Sequence, residues 1–156
     1  MKTVFNLEDM PTDTPALFLA GPTPRSREVA SWRPRALEIL AQLGFDGAVV
    51  IPEDRDFDNR TDFDYAGQID WERACLRACD IVVFWVPRHL VDMPAFTTNI
   101  EFGFVSERGQ PFVLGYPADS PKMRYLAHVA HECGRAVFHT LEDTLRHACT
   151  HIKEQK

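Results

Sequence analysis

The chain has 156 residues, enough for one domain with a sizeable core. Its composition, 45% hydrophobic and 26% charged, is that of a globular protein. The net charge of −6 leaves no basic field to steer a nucleic-acid polymer or an anionic membrane surface. No run approaches the roughly 20 apolar residues that a membrane span needs, and no signal-peptide core follows the start, so a cytoplasmic protein is expected.

Residues 1–15 are polar, with Pro11 and Pro15, and read as a lead-in. Ala16-Leu17-Phe18-Leu19-Ala20 is a short buried strand ending in Gly21-Pro22. A helix follows from about Trp32 to Leu43, with Ile39, Leu40 and Leu43 on one face and Gly44 as its stop. Ala48-Val49-Val50-Ile51 is the second strand, broken by Pro52. Residues 53–66 form a charged, aromatic connection too long for a simple turn, which marks it as a candidate functional loop. A second helix is expected from about Gln68 to Cys79, then a third strand, Ile81-Val82-Val83-Phe84-Trp85-Val86. That strand is apolar throughout, as a parallel strand covered on both faces should be.

A helix carrying Glu101 runs to near Gly109, and Phe112-Val113-Leu114-Gly115 is the fourth strand. A helix from about Pro121 to Glu132, a weak strand at Ala136-Val137-Phe138 and a final helix from about Leu141 to Ile152 complete the chain. Strands alternating with helices imply a single-domain α/β sandwich: a five-stranded parallel sheet in the flavodoxin-like order 2-1-3-4-5, with helices on both faces. No repeat or linker divides the chain.

Cys75, Cys79, Cys133 and Cys149 are too few and too scattered for a disulfide framework, and read as free thiols. Cys75 and Cys79, four apart in a helix, suit core packing better than nucleophilic work. His128 with His131, and His147 with His151, sit at helical spacing near Cys133 and Cys149. Neither pair carries the glutamate of a zinc-protease motif, so no metal is expected.

Ligands of open parallel sheets bind beyond the carboxyl ends of the strands. That edge collects Gly21 to Arg27, the 52–66 loop with the start of the second helix, the 87–101 segment, and Tyr116 to Pro121. In Thr97-Thr98-Asn99-Ile100-Glu101-Phe102-Gly103 a carboxylate follows the third strand, where a nucleophile or general base would stand. Thr98-x-x-Glu101 is equally a capping box, with Glu101 reaching back to a backbone N–H. Asp70, in the expected first turn of the second helix, lies at the same edge, where the helix dipole alone would favour it. Phe63, Tyr65, Trp71 and Trp85 are near, and aromatic walls both stack a flat ring and raise a carboxyl pKa. Two carboxylates in unequal settings are what glycosidic bond cleavage needs. Asp80 precedes the third strand and belongs to the far edge, as a turn or helix-end residue.

Gly21-Pro22-Thr23-Pro24-Arg25-Ser26-Arg27 lacks the dinucleotide GxGxxG and the P-loop lysine, so neither a nicotinamide nor an ATP site is expected. Arg25 and Ser26 suit a phosphate or a ribose hydroxyl, while Arg27 reads as a solvated turn residue.

Taken together, Phe18-Leu19-Ala20-Gly21-Pro22-Thr23-Pro24-Arg25, Gln68-Ile69-Asp70-Trp71-Glu72, Cys79-Asp80-Ile81-Val82-Val83-Phe84-Trp85 and Thr98-Asn99-Ile100-Glu101-Phe102-Gly103 resemble the nucleoside 2-deoxyribosyltransferase family, especially its 2-deoxyribosyltransferase-like branch. The resemblance spans most of residues 17–115. It implies a compact α/β fold, no cofactor and a homo-oligomer. It also implies a glutamate nucleophile forming a covalent deoxyribosyl ester, matched by Glu101, and an aspartate handling the base and its proton, matched by Asp70. Gly21, Pro22, Arg25, Ser26, Tyr65, Trp71, Trp85 and Asn99 are the expected substrate contacts. The family's acidic residue six positions before the nucleophile is here Ala95, with Asp92 out of register, and the family's site-completing chain end has no match.

Three functions are compatible with these residues. One is transfer of 2-deoxyribose between bases, with a nucleoside or nucleotide and a free base as the small-molecule partners. A second is hydrolysis of a nucleoside or nucleoside 5′-monophosphate by the same carboxylates. The third is a non-catalytic nucleotide-sensing domain in which Glu101 only caps its helix.

Overall fold

The computed structural model describes residues 1–26, 28–55 and 64–155. Its strands are β1 (Lys2–Val4), β2 (Ala16–Ala20), β3 (Ala48–Val50), β4 (Ile81–Trp85), β5 (Phe112–Gly115) and β6 (Val137–Phe138). The helices are α1 (Arg33–Gln42), α2 (Tyr65–Ala78), α3 (Phe96–Glu107), α4 (Arg124–Glu132) and α5 (Leu141–Glu154). All strand pairs in the sheet are parallel, and the order is β1-β3-β2-β4-β5-β6.

The five strands expected from sequence take their expected order, and β1 adds a sixth at the β3 edge. Residues 1–15 are thus not merely a lead-in. Only Val4 of β1 is buried, so its tripeptide carries no periodic signal, and its strand character comes from pairing with Ala48–Val50. An edge strand this short exposes little unpaired backbone to a neighbour.

Alternation along the strands divides the core in two. Phe18, Ala20, Val82, Phe84, Phe112 and Leu114 point to the face covered by α2, α3 and α4. Leu17, Leu19, Val49, Val83, Trp85 and Val113 point to the face covered by α1 and α5. The result is a three-layer sandwich. Gly44, with φ of 68°, ends α1 as its position suggested, because a glycine takes the left-handed turn without a Cβ clash.

Cys75, Cys79 and Cys149 are buried free thiols and Cys133 is an exposed one. Burial pushes Cys75 up to about 11 and Cys79 higher still, consistent with packing rather than nucleophilic roles. His128 lies 3.4 Å from Glu132, and His147 packs against the Phe138 ring. Among the described residues no three histidine, cysteine or acidic side chains gather as a metal cluster. No described helix is long and apolar enough to cross a membrane.

Asp80 lies at the amino ends of the strands, as expected. Its Oδ2 accepts from the Ala16 backbone N–H at 2.7 Å, and its own N–H donates to the Ala16 carbonyl at 2.9 Å. Asp80→Asn should therefore cost on the order of 1 kcal/mol of stability, with kcat nearly unchanged in the folded fraction. Chemical denaturation beside an assay reads both quantities, and a folded but inactive Asp80→Asn protein would contradict the strand direction.

Candidate active site

At the carboxyl edge of the sheet lies a cavity of about 260 Å³. Four parts of the chain build it. Gly21, Pro22, Thr23 and Arg25 come from the turn after β2, opposite Pro52 after β3. Tyr65, Gln68, Ile69 and Glu72 come from one face of α2. Pro94 to Thr98 and Glu101 come from the entry and first turns of α3.

Gly21 lets the β2 turn pass close to the sheet. A Cβ there would meet the Trp85 carbonyl oxygen and lie 2.8 Å from the Trp32 ring. The turn is held from below by Arg33, which is fully buried. Its guanidinium donates to the carbonyls of Leu19 (3.3 Å) and Gly21 (2.8 Å), to Thr23 Oγ1 (3.2 Å) and to Glu53 Oε1 (2.6 Å). Its field favours the ionised forms of Glu72 and Glu101.

Helix α3 begins differently from the capping-box expectation. Its N-cap is Ala95, in the left-handed conformation (φ 62°, ψ 37°), and no side chain caps it. Thr98 is buried inside the first turn, and Glu101 lies a turn further on. Glu101 therefore caps nothing. Left-handed backbone at a residue with a Cβ costs roughly 1 kcal/mol or more, and here it turns the uncapped first turn of α3 toward the cavity.

Among the described residues none donates a hydrogen bond to the Glu101 carboxylate. Burial pushes its pKa up to about 7, the Glu72 charge adds to the rise, and Arg33 opposes it. Burial likewise raises Glu72, against a 2.9 Å hydrogen bond from Gln68 Nε2 to its Oε1 and the pull of Arg33. Two carboxyl groups thus share one cavity, each holding its proton more tightly than a solvated acid does. Gln68 Oε1 is buried with no hydrogen-bond partner.

Of the residues expected from sequence, the structure brings Gly21, Pro22, Arg25, Tyr65 and Glu101 to the cavity lining. Asp70 is not among them. Helix α2 starts at Tyr65, with Asp64 as N-cap accepting from the Gly67 N–H, so Asp70 falls in the second turn. The residues facing the cavity are Tyr65, Gln68, Ile69 and Glu72, spaced by three or four, and Asp70 lies on the opposite side, exposed to solvent. The acid this helix presents to the cavity is Glu72.

Trp71 and Trp85 also lie outside the lining. Trp71 donates its indole N–H to the Glu8 carbonyl at 2.8 Å and packs against the core. Trp85, the last residue of β4, points into the face covered by α1 and α5. Ser26 is exposed beside the turn, and Asn99 faces the other side of α3, where it pairs with Arg88. Arg25 stands at the cavity mouth with its guanidinium 5.4 Å from the Phe96 ring centre. Arg27 and Phe63 lie outside the described residues.

Sequence reasoning missed Glu72 and Arg33. The pair Gln68 and Glu72, four apart, carried a signal for the first. Arg33 looked like one more charged residue at a helix start.

The model of the nucleoside 2-deoxyribosyltransferase-like family matches residues 14–118, a span that contains every residue lining the cavity. The chain belongs to that family. No curated protein matches it. Among solved structures, a conserved protein from Enterococcus faecalis V583 has a similar fold, with a TM-score of 0.64 over 91% of this chain and 99% of that one, at 16% identity. At that identity the likeness concerns the fold alone.

Proposed function

We propose that this protein cleaves the N-glycosidic bond of deoxynucleosides through a covalent sugar ester on Glu101, and passes the 2-deoxyribose to a second base. The observation that carries this reading is the pairing of Glu101 and Glu72 in one cavity, with both pKa values raised by burial and that of Glu101 raised further by the Glu72 charge. One proton shared between two such carboxyls leaves one ionised to attack and one protonated to donate.

The Glu101 carboxylate attacks C1′ as the C1′–N bond breaks, and the bonding pair leaves on the base nitrogen. Glu72 gives that nitrogen its proton. Gln68 fixes Glu72 for this by donating to Oε1, which leaves Oε2 to carry the proton. An incoming base then attacks C1′, returns its N–H proton to Glu72, and frees Glu101 with net retention. The orphaned Gln68 Oε1 is an acceptor that a base amino group or a sugar hydroxyl would satisfy. Family membership supports a nucleoside as the substrate class.

Arg25 at the mouth favours a second reading, hydrolysis of a nucleoside 5′-monophosphate, because a guanidinium there suits a phosphate. The sensing reading rested on Glu101 as a cap, a role that the Ala95 N-cap removes.

The test is incubation with a deoxynucleoside, with and without a second free base, and separately with its 5′-monophosphate. Exchange of bases supports transfer. Free base formed at the same rate with or without acceptor means hydrolysis, and no free base at all rejects both.

We further propose that a second copy of the chain covers the outer side of α3. Phe96, Ile100 and Phe104, at four-residue spacing, are 67%, 58% and 39% exposed, and Phe96 borders the cavity. Light scattering should show an oligomer at assay concentration, and a fully active monomer rejects it.

A further inference from the structure

A second arginine is buried on the other side of α3, and among the described residues it has no counter-charge. Arg88, just past β4, is 8% exposed. Its Nη1 donates to the Lys122 carbonyl at 3.0 Å and its Nη2 to Asn99 Oδ1. Its Nε is buried with no partner. Among the described residues no carboxylate approaches Arg88 within ion-pair distance. The contrast with Arg33 is direct, since that guanidinium has Glu53 at 2.6 Å. Burial lowers the Arg88 pKa, and among the described residues no neighbouring charge offsets it. An uncompensated buried cation is costly, and proteins rarely keep one without something to pair it.

Arg88 lines a groove of about 380 Å³ between α3 and α4. Lys122 stands on the same groove, exposed, with a left-handed backbone (φ 59°) that sets it just before the start of α4. Helix α4 has no side-chain cap, so the positive end of its dipole opens beside these two cations. The floor is apolar, formed by Phe102, Leu126 and Val129. One acid, the exposed Glu107, borders the groove.

We propose that this groove is a binding site for a small oxyanion carrying an apolar body. The oxyanion pairs with Arg88 and Lys122 at the start of α4, and the body lies over Phe102, Leu126 and Val129. The site is separate from the cavity of Glu101, because the two share no lining residue: Thr98 and Glu101 of α3 line one, Asn99, Phe102 and Ser106 the other.

The experiment is calorimetric titration with inorganic phosphate and with phenyl phosphate. The protein is used unsubstituted and as Arg88→Met, Lys122→Gly and Arg25→Ala. Lys122→Gly removes the ammonium where glycine suits the backbone, so it keeps the test open if Arg88→Met fails to fold. Saturable phosphate binding is expected in the unsubstituted protein and in Arg25→Ala. It should be lost in Arg88→Met and weakened about tenfold in Lys122→Gly, the effect of one charge-assisted contact. Phenyl phosphate should bind about tenfold more tightly than phosphate, because its ring covers apolar floor. Binding that disappears in Arg25→Ala but persists in the groove variants belongs to the Glu101 cavity and overturns the proposal. So does the absence of saturable binding, and equal affinity for the two probes overturns the apolar body.

Discussion

Glu101→Gln is expected to abolish turnover by orders of magnitude and, at pH 8, to make the folded protein more stable. Glutamine keeps the shape and removes the charge, so no ester can form. The stability effect follows from the carboxyl being raised to about 7 in the folded chain, above its usual value near 4.5. A group whose folded pKa is raised binds its proton more tightly folded than unfolded. Stability from this site is therefore fully present below about 4.5 and declines as pH climbs toward about 7. A rise of this size corresponds to roughly 3 kcal/mol, so the neutral glutamine should recover on the order of 2–3 kcal/mol at pH 8. A helix cap would behave in the opposite way, since losing one costs about 0.5–2 kcal/mol. Thermal melts of both proteins at pH 5 and pH 8 give the sign. In the unsubstituted protein kcat/KM should rise through about pH 7, because only ionised Glu101 attacks. A folded Glu101→Gln protein with normal turnover would end the covalent mechanism.

The second large effect should separate Glu72 from Asp70. Glu72→Gln removes the proposed proton donor, and general-acid assistance is typically worth about 10²–10⁴-fold in kcat. Substrates whose base leaves easily should suffer less. The same substitution removes a negative charge beside Glu101, so the acidic limb of the pH profile should move to lower pH. That displacement distinguishes a charge facing Glu101 from a residue that merely packs. Asp70→Asn should leave both kcat and the limb close to normal, because its side chain is solvated on the other side of α2. An inactive Asp70→Asn protein beside an active Glu72→Gln protein would return the acid role to Asp70 and reject Glu72 as the proton donor.

The outcome for α2 also shows what kind of information a sequence carries. An expected start at Gln68 put Asp70 in the first turn, where a carboxylate faces a ligand. The actual start at Tyr65 is set by Asp64 capping the Gly67 N–H, and it moves Asp70 one turn inward. Each residue rotates the direction of a helix by about 100°, so a three-residue error in the start decides which acid reaches the cavity. The α3 expectation failed for a related reason. Thr98-x-x-Glu101 has capping-box spacing, but the chain turns into the helix at Ala95, using a left-handed backbone that its residue type does not announce.

Local pattern by itself determined that this chain alternates apolar strands with helices, that five of its strands lie parallel, and that Glu101 follows a strand at the ligand-bearing edge. These properties rest on periodicity and on chain direction, which are written in neighbouring residues. Tertiary structure alone decided the rest. It made a strand of Lys2–Val4 by pairing it with Ala48–Val50, and it brought Glu72 rather than Asp70 to the cavity lining. It set Arg33 near two carboxyls, and it left Arg88 buried without a counter-charge among the described residues. Each of these depends on residues far apart in the chain meeting in space. Electrostatic energy depends on that distance and on the water excluded between the groups, neither of which a single stretch of sequence records.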